Sequence, residues 1–322
     1  AGRGAVFLPL LWHLPRRGVR LAMLEELRHC TLCPRECGVD RLSGVPGVCG
    51  AVGETIRVAR AALHFWEEPC ISGKEGSGTV FFSYCPLKCV YCQNQLISRG
   101  GAGKDISIDR LTEIFLELQE KNARNINLVT PTHYIPQIVP ALREAKHRGL
   151  TIPIVCNCGG YEKPETLKLL DGLVDVYLPD FKYLSPDTAR RYSAAGDYPD
   201  WAKKALAEMV RQVSDPVFDE EGMIKKGVII RHLVLPGFVK EAKQVIRYLH
   251  ETYGNRIYLS IMSQFTPTKE LSAYPELDRT LTPSEYDRVV DYAVRIGVEN
   301  GFTQEGEAAS ESFIPPFGCE GV

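Results

Sequence analysis

Short apolar strands alternate with amphipathic helices through most of this chain, and this alternation limits the folds that it can adopt. Six apolar runs have the length and composition of strands, and helical patterns separate them. The runs are 79–82, 125–129, 152–156, 174–178, 228–235 and 257–262. Strands that alternate with helices form a parallel sheet with crossover helices. We therefore predict an α/β fold with six strand–helix units, too few for a closed eight-stranded barrel.

Three cysteines follow the first of these strands on a predicted loop. Cys85, Cys89 and Cys92 have the spacing C-x3-C-x2-C, and soft thiolates bind zinc, copper(I) or iron–sulfur clusters. Three thiolates can bind three irons of a [4Fe-4S] cluster, which leaves the fourth iron open to another ligand. Tyr91 would place a flat ring beside such a cluster, where an adenine can stack. Unrelated thiols and a zinc site with a distant fourth ligand are the alternatives.

The cysteine loop resembles that of the radical S-adenosylmethionine (SAM) superfamily, in which the open iron binds the amino and carboxylate groups of SAM. Three further stretches are similar to the PflX-like branch, relatives of pyruvate formate-lyase activating enzyme. They are residues 64–73, 76–82 and 92–94. The resemblance covers most of the chain from Cys30 to Val322, and it implies a partial, open (β/α)6 radical SAM barrel.

The resemblance also implies residues that bind SAM at the C-terminal ends of the strands, where barrels of this type carry their chemistry. Thr130 and Thr132 follow the second strand, where the family usually has a Gly-Gly-Glu-like turn, and they would accept the protons of the SAM amino group. Asn157 follows the third strand and would bind the ribose or the methionine carboxylate. His232 lies on the fifth strand and would point at the substrate or at SAM.

Asp180 and Lys182 follow the fourth strand and match the Asp-x-Lys of glycyl-radical activating enzymes. Two positions apart on an extended chain, their side chains leave on the same face. Asp180 would hold a monovalent cation beside the methionine carboxylate, and Lys182 would pair with that carboxylate directly. An ordinary surface ion pair is the alternative for these two residues.

A second group of cysteines lies nearer the N-terminus. Cys30, Cys33, Cys37 and Cys49 have the spacing C-x2-C-x3-C-x11-C in a turn-rich segment with little apolar content. Such a segment gains order from a bound ion better than from a hydrophobic core. Four thiolates suit a closed zinc site or a second iron–sulfur cluster, and the spacing does not separate the two. Reduced free thiols and disulfides are the alternatives.

Cysteine usage and charge indicate where the protein works and which partners it lacks. The eleven cysteines are odd in number and cluster at metal-ligand spacings, which favours a reducing cytoplasm over a disulfide framework. A net charge of −2 creates no global field for nucleic acid or an anionic membrane. No apolar run approaches the ~20 residues that span a bilayer. We therefore expect a cytoplasmic protein with no membrane or nucleic-acid partner.

These patterns divide the chain into four parts. We predict an N-terminal arm at 1–29, which we expect to be poorly ordered, and a Cys-rich metal-binding segment with its lead-in at 30–77. The partial barrel follows at 78–300. A tail at 301–322 either covers the open side of the barrel or frays.

The resemblance implies a radical enzyme. An external one-electron reductant such as flavodoxin or ferredoxin would reduce the cluster, and SAM would be cleaved to methionine and a 5′-deoxyadenosyl radical that abstracts hydrogen from a peptide or small-molecule substrate. Activation of a glycyl-radical enzyme is the leading use. Radical modification of another peptide, a nucleoside or a small metabolite is the first alternative. A non-catalytic iron–sulfur electron carrier and a zinc-stabilised interaction module are the others.

Overall fold

A computed structural model of the chain describes residues 16–304 and 314–322, and its centre is a mostly parallel sheet of ten strands within those ranges. The strands are β1 Ile56–His64, β2 Ser77–Phe82, β3 Lys104–Ile106, β4 Ile126–Val129, β5 Ile154–Cys158, β6 Val176–Pro179, β7 Val217–Phe218, β8 Ile224–Leu233, β9 Tyr258–Met262 and β10 Gly301–Thr303.

Helices connect most of the parallel strands. They are α1 Arg16–Glu25, α2 Pro69–Ser72, α3 Gln95–Ser98, α4 Ile108–Glu120, α5 Ile135–His147, α6 Pro164–Leu167, α7 Pro186–Ser193, α8 Tyr198–Val213, α9 Val239–Tyr253 and α10 Pro283–Arg295. Six short 3₁₀ turns lie within the described ranges, at Arg41–Ser43, Thr132–Tyr134, Lys168–Leu170, Gly254–Arg256, Lys269–Ala273 and Pro275–Leu277. None of the helices in the described part of the chain has the length and apolar character needed to cross a membrane.

The order of the strands in the sheet is β10-β9-β8-β6-β5-β4-β2-β1-β3, and β7 pairs with β8. Pairing is parallel from β2 through β4, β5, β6, β8 and β9 to β10. β1 runs antiparallel to β2 and β3. Because β3 and β10 lie at opposite ends of this order, the sheet is open. The predicted α/β class with a parallel, open sheet is therefore confirmed.

The first crossover shows how the sequence determines its helix and the side that it buries. Ser107 caps α4, and its hydroxyl accepts a hydrogen bond from the amide of Arg110 (3.1 Å). Leu111, Ile114, Phe115 and Leu118 recur at helical spacing and are all buried. All six residues of β2 are buried as well, as expected for a strand of a parallel sheet that is covered on both faces.

The N-terminal region is partly helical. Residues 16–25 of the predicted arm form α1, in which Val19 and Met23 are buried. This part of the arm is therefore a packed helix, and the expectation of poor order is wrong for it. The apolar residues recur at helical spacing and pack α1 against α5. Residues 1–15 lie outside the described ranges.

The C-terminal segment returns to the start of the sheet. The amide of Cys319 donates to the carbonyl of Ala59 (3.0 Å), and the amide of Ala61 donates to the carbonyl of Glu320 (2.8 Å). Arg60 also pairs with Glu320 (2.7 Å). The described end of the chain therefore lies against β1, while the acidic residues Glu305, Glu307 and Glu311 of the predicted tail fall outside the described ranges.

Candidate functional site

The loop with Cys85, Cys89 and Cys92 begins directly after β2. Tyr84 has a left-handed backbone (φ 73°) that turns the chain away from the sheet. The amide of Val90 then donates to the carbonyl of Tyr192 (2.9 Å), and the amide of Lys88 donates to that of Ser193 (3.3 Å). The three thiols are therefore placed by the end of a buried strand on one side and by α7 on the other.

A row of hydroxyl groups leads from Tyr91, on this loop, to the sulfur of Cys89. The hydroxyls of Tyr91 and Tyr183 are hydrogen-bonded to each other, and the hydroxyls of Tyr183 and Ser193 lie 2.8 Å apart. The hydroxyl of Ser193 lies 2.9 Å from Sγ of Cys89. Burial raises the pKa values of Tyr91 and Tyr183, so both phenols stay protonated and can donate hydrogen bonds towards the sulfur.

One cavity of about 210 Å³ opens beside the loop, at the C-terminal ends of the strands. Six of the predicted site residues contribute to its lining, namely Cys89, Tyr91, Cys92, Asn157, Asp180 and Lys182. Thr130, Thr132 and His232 do not line it, and neither does Cys85. The cavity therefore brings two of the three loop cysteines together with Asn157, which lies within β5 rather than after it, and with the charged pair that follows β6.

Arg231, on β8, connects the polar side chains of this cavity. Its Nε contacts Asp180 (3.0 Å), its Nη1 contacts Glu67 (3.1 Å) and its Nη2 donates to Asn157 (2.6 Å). All of these side chains are largely or fully shielded from solvent, so removing one partner would leave another charge without compensation.

Asp180 and Lys182 form an ion pair at 2.7 Å, as expected for side chains that leave an extended chain on the same face. Their side chains are 20% and 17% exposed, so they are not an ordinary surface pair. Burial by itself would raise the pKa of Asp180, but Lys182 and Arg231 outweigh it and hold that pKa below its usual value. Burial would lower the pKa of Lys182, but the Asp180 carboxylate raises it well above its usual value. Both groups are charged at neutral pH.

Glu67 reaches the same cavity from the segment between β1 and α2. Its Oε1 accepts hydrogen bonds from the amides of Asn127 (3.1 Å) and Asn157 (3.2 Å). Burial raises the pKa of Glu67, and Arg231 partly counteracts this effect. Glu67 lies in the stretch 64–73 that resembles the PflX-like branch, but neither it nor Arg231 was among the predicted site residues.

The alternation of side chains along a strand explains why Arg231 was missed. Neighbouring side chains point to opposite faces, so His232 and Arg231 cannot both face the cavity. The ring of His232 is buried and its Nδ1 donates to the carbonyl of Phe181 (2.7 Å); burial lowers its pKa to about 4. Arg231 and Leu233 are two positions apart, so both face the cavity. The signal in the sequence that could have identified Arg231 is its charge within the apolar run 228–235.

The two threonines lie behind the cavity. The amide of Thr130 donates to the carbonyl of Asn157 (2.8 Å), and its backbone is left-handed (φ 58°). The hydroxyl of Thr132 donates to Glu162 (3.0 Å). Burial raises the pKa of Glu162 to about 7, although hydrogen bonds from Thr132 and Cys158 oppose this shift. The backbone amide of Thr130 and the hydroxyl of Thr132 are thus engaged within the protein.

The N-terminal cysteines lie in a segment whose only regular element is the 3₁₀ turn Arg41–Ser43. Cys30, Cys33 and Cys49 are buried and Cys37 is half-buried. Burial raises the pKa of Cys33 to about 12, and the charges of Cys49, Cys30 and Cys37 add to this shift. Within residues 16–304 and 314–322, no three His, Cys, Asp or Glu side chains are drawn together as one bound metal ion requires. A [4Fe-4S] cluster needs no such convergence, because each thiolate binds a different iron.

The fold and the cysteine loop define a class of α/β proteins that carry their chemistry at the ends of parallel strands. The family model of the radical SAM superfamily matches residues 79–249, which include the cysteine loop and every strand from β4 to β8. This chain belongs to the radical SAM superfamily.

An uncharacterized protein of Methanocaldococcus jannaschii is 28% identical over 281 residues, which cover 84% of this chain and 76% of that protein. The structure of methylornithine synthase (PylB) matches with a TM-score of 0.50 and 14% identity, covering 97% of this chain and 79% of that protein. Streptococcus suis SuiB bound to the precursor peptide SuiA matches with a TM-score of 0.47 and 13% identity. That match covers 69% of this chain but only 46% of SuiB, so this chain spans about half the length of SuiB. The likeness to PylB supports the fold alone.

Proposed function

We propose that this protein binds a [4Fe-4S] cluster through Cys85, Cys89 and Cys92, cleaves SAM reductively and abstracts a hydrogen atom from its substrate. The observation that supports this proposal best is the shared cavity, in which Cys89 and Cys92 lie together with Asp180 and Lys182. A cluster ligand set and a pair of opposite charges that suits a zwitterion therefore border the same space.

The residues of the loop fit the cluster that the superfamily uses. Three soft sulfur donors at the spacing C-x3-C-x2-C suit three irons, and the row of hydroxyls ends at Cys89, where a hydrogen bond would stabilise a thiolate. When bound and reduced, the cluster supplies the electron that splits SAM into methionine and a 5′-deoxyadenosyl radical.

Asp180 and Lys182 would bind the methionine part of SAM. Lys182 would pair with the carboxylate and Asp180 with the ammonium group, in exchange for the pair that they form with each other. Arg231 acts as a positioning residue, since it fixes Asp180, Glu67 and Asn157 around the same side of the cavity. Both oxygens of Asp180 accept hydrogen bonds from cationic side chains, so the proposal does not require a monovalent cation there.

Tyr91 and Asn157 would bind the rest of SAM. Tyr91 lines the cavity with a buried ring held in place by Tyr183 and Phe265, whose ring centroid lies 6.0 Å from its own. Such a rigid ring can stack on adenine. The amide of Asn157 can bind a ribose hydroxyl or the carboxylate. Thr130, Thr132 and His232 would support this arrangement from behind the cavity, because the amide of Thr130, the hydroxyl of Thr132 and the ring of His232 bond within the protein.

For the substrate, we propose activation of a glycyl-radical enzyme, as expected for the PflX-like branch. Asp180 and Lys182, together with the Leu-Pro-Gly stretch at 235–237, resemble the activases of this kind. The alternative is radical modification of another peptide, a nucleoside or a small metabolite. We further propose that the protein works in the cytoplasm under anaerobic conditions, with a flavodoxin or ferredoxin as its electron donor.

The proposed chemistry can be tested with anaerobically reconstituted protein, dithionite and SAM. The proposal predicts 5′-deoxyadenosine and methionine in equal amounts, measured by mass spectrometry. A protein that takes up and releases electrons through its cluster but leaves SAM intact would instead be an electron carrier. A protein that binds zinc at Cys85, Cys89 and Cys92 would be an interaction module.

A further inference from the structure

Arg41 is a buried cation without an acidic partner among the described residues. Its side chain is 0% exposed, and Nη1 donates to the carbonyl of His133 (2.6 Å). Nε and Nη2 have no hydrogen-bond partner in residues 16–304 and 314–322. A buried charge is stable only when a counter-charge or a set of hydrogen bonds compensates it. The guanidinium also lies 5.8 Å from the ring centroid of Tyr134, which compensates part of its charge. The two unpaired donors still favour an anionic group nearby.

Arg41 belongs to the same segment as the four N-terminal cysteines and lies between Cys37 and Cys49. The carbonyl of Arg41 accepts a hydrogen bond from Gly53 (2.8 Å), two residues beyond the loop that holds Cys49. The backbone of Arg41 is thus tied to the residues that follow Cys49.

Gly47 shows that two of the sulfurs face a common point. A Cβ atom at this position would lie 3.2 Å from Sγ of Cys49 and 3.6 Å from Sγ of Cys37. Backbone hydrogen bonds fix this arrangement, because Gly47 donates to Ala51 (3.0 Å) and the amide of Ala51 lies 3.4 Å from Sγ of Cys49. The absence of a side chain at Gly47 keeps the space between the two sulfurs open.

We propose that Cys30, Cys33, Cys37 and Cys49 bind a metal centre as four thiolates, and that Arg41 is its buried counter-charge. A [4Fe-4S] cluster binds each thiolate to a different iron and does not need the four sulfurs to converge, whereas a zinc ion would have to draw them together. In both cases the charge of four thiolates exceeds that of the metal centre, so the site is anionic and compensates Arg41. All four positions are filled by protein, so the centre is closed to substrate.

The centre also stabilises the loop of the main cluster. Arg35, between Cys33 and Cys37, donates through Nε to the carbonyl of Pro86 (2.9 Å) and through Nη1 to the carbonyl of Ala194 (2.6 Å). Pro86 directly follows Cys85, and Ala194 directly follows Ser193, which contacts Cys89. A metal that orders the segment around Arg35 therefore also fixes one side of the loop with Cys85 and Cys89.

Metal analysis separates this centre from the proposed main cluster. In a variant with Cys85, Cys89 and Cys92 replaced by Ala and purified anaerobically, we expect about one zinc, or about four irons with sulfide, per chain. Adding Cys30→Ser, Cys33→Ser, Cys37→Ser and Cys49→Ser should remove that metal. If either variant fails to fold, the same metal analysis is applied to the unmodified holoenzyme. Absence of zinc and of any iron beyond one cluster in the holoenzyme overturns the proposal, whatever the outcome for SAM cleavage.

The role of Arg41 is tested by the rate of metal loss. Arg41→Met keeps most of the apolar stem but removes the charge, and Arg41→Lys keeps the charge. We expect chelators of zinc and iron to extract this metal at least tenfold faster from Arg41→Met than from the parent, with Arg41→Lys in between. Equal rates for Arg41→Met and the parent contradict the assignment of Arg41 as the counter-charge.

Gly47 offers a matched pair of variants for the ligand geometry. Gly47→Ala places a methyl group against the sulfurs of Cys37 and Cys49, whereas Gly318→Ala meets nothing within 4 Å. Neither glycine has a left-handed backbone, so Ala strains neither position. Lower metal content in Gly47→Ala but not in Gly318→Ala supports the proposed site. Full metal content in Gly47→Ala contradicts it.

Discussion

The two groups of cysteines in this protein are organised by different parts of the fold. Cys85, Cys89 and Cys92 follow a buried strand of the parallel sheet, and two of them border an open cavity with charged side chains. Cys30, Cys33, Cys37 and Cys49 lie in a segment with a single 3₁₀ turn, next to the buried charge of Arg41. The first group thus has room for a ligand beside it. We therefore propose an open, reactive site for the first group and a closed, supporting site for the second.

The largest expected difference between the two groups is in catalysis. Replacing Cys85, Cys89 and Cys92 with Ala should remove the SAM-responsive [4Fe-4S] signal and reduce SAM cleavage to background, because Cys89 and Cys92 border the cavity and Cys85 belongs to the same loop. Electron paramagnetic resonance of the reduced protein with and without SAM measures this signal. Cys33→Ser should destabilise the N-terminal segment more than it slows SAM cleavage. A triple Ala variant that keeps the SAM-responsive signal would show that the two groups have been assigned the wrong roles.

The next largest effect is expected at the charged side of the cavity. Asp180→Ala removes a partner of both Lys182 and Arg231, so we expect SAM to bind more weakly by roughly 2–4 kcal/mol. Lys182→Ala should have a similar effect. Asp187→Ala is the matched control, since it breaks the exposed pair with Arg190 and should cost ~0–1 kcal/mol of stability without a change in SAM affinity.

Isothermal titration of SAM into protein of equal cluster content measures these affinities. If Asp180→Ala and Lys182→Ala both bind SAM as tightly as Asp187→Ala, the pair has only a structural role.

Glu162 lies between the N-terminal cysteine segment and the residues behind the cavity. We expect it to make the stability of the protein depend on pH. Its neighbour Lys163 pairs with Glu36 in the N-terminal segment, while Glu162 itself bonds to Thr132 behind the cavity. Burial raises the pKa of Glu162 to about 7, so the folded protein retains a proton that the unfolded chain loses near pH 4.5. This group therefore lowers stability as pH rises from about 4.5 to 7, by about 2–3 kcal/mol in total.

Glu162→Gln should remove that loss, so its advantage over the parent grows between pH 5 and pH 8 in urea denaturation. The difference between variant and parent is the quantity to measure, because buried His133 and His232 have lowered pKa values and change stability in the opposite direction. A difference that stays constant over this range would mean that Glu162 is ionised in the folded protein.

The smallest expected effect concerns the hydroxyl that contacts Cys89. A hydrogen bond from Ser193 to a thiolate favours the reduced, more negative cluster, and such a bond contributes about 0.5–1.5 kcal/mol. Ser193→Ala should therefore lower the one-electron reduction potential of the main cluster by roughly 20–60 mV. Redox titration followed by electron paramagnetic resonance measures this shift. A potential that is unchanged or higher would mean that the hydroxyl does not donate to the sulfur.

Much of the fold could be predicted because its signals are local. The apolar runs that became β2, β4, β5, β6, β8 and β9 are short and bounded by turn residues, and the alternation with helices determines that they pair in parallel. β10 was missed because it has three residues, of which only Phe302 is a large apolar side chain, and it depends on β9 for its pairing.

The site was less predictable because its contacts join distant parts of the chain. The position of Asp180 beside Lys182 follows from their spacing. The pairing of Arg231 with Glu67 joins residues 164 positions apart, and no local pattern indicates it. The same holds for Ser193 and Cys89, which are 104 positions apart. Such contacts are decided by the packing of the whole sheet.

Formation of 5′-deoxyadenosine by the reduced protein tests the central claim most directly. Anaerobically reconstituted protein, incubated with dithionite and SAM, should produce 5′-deoxyadenosine and methionine in equal amounts, and the product should disappear when Cys85, Cys89 and Cys92 are replaced with Ala. Intact SAM after reduction of a protein with a complete [4Fe-4S] cluster would contradict the proposal that this cavity brings the cluster and SAM together.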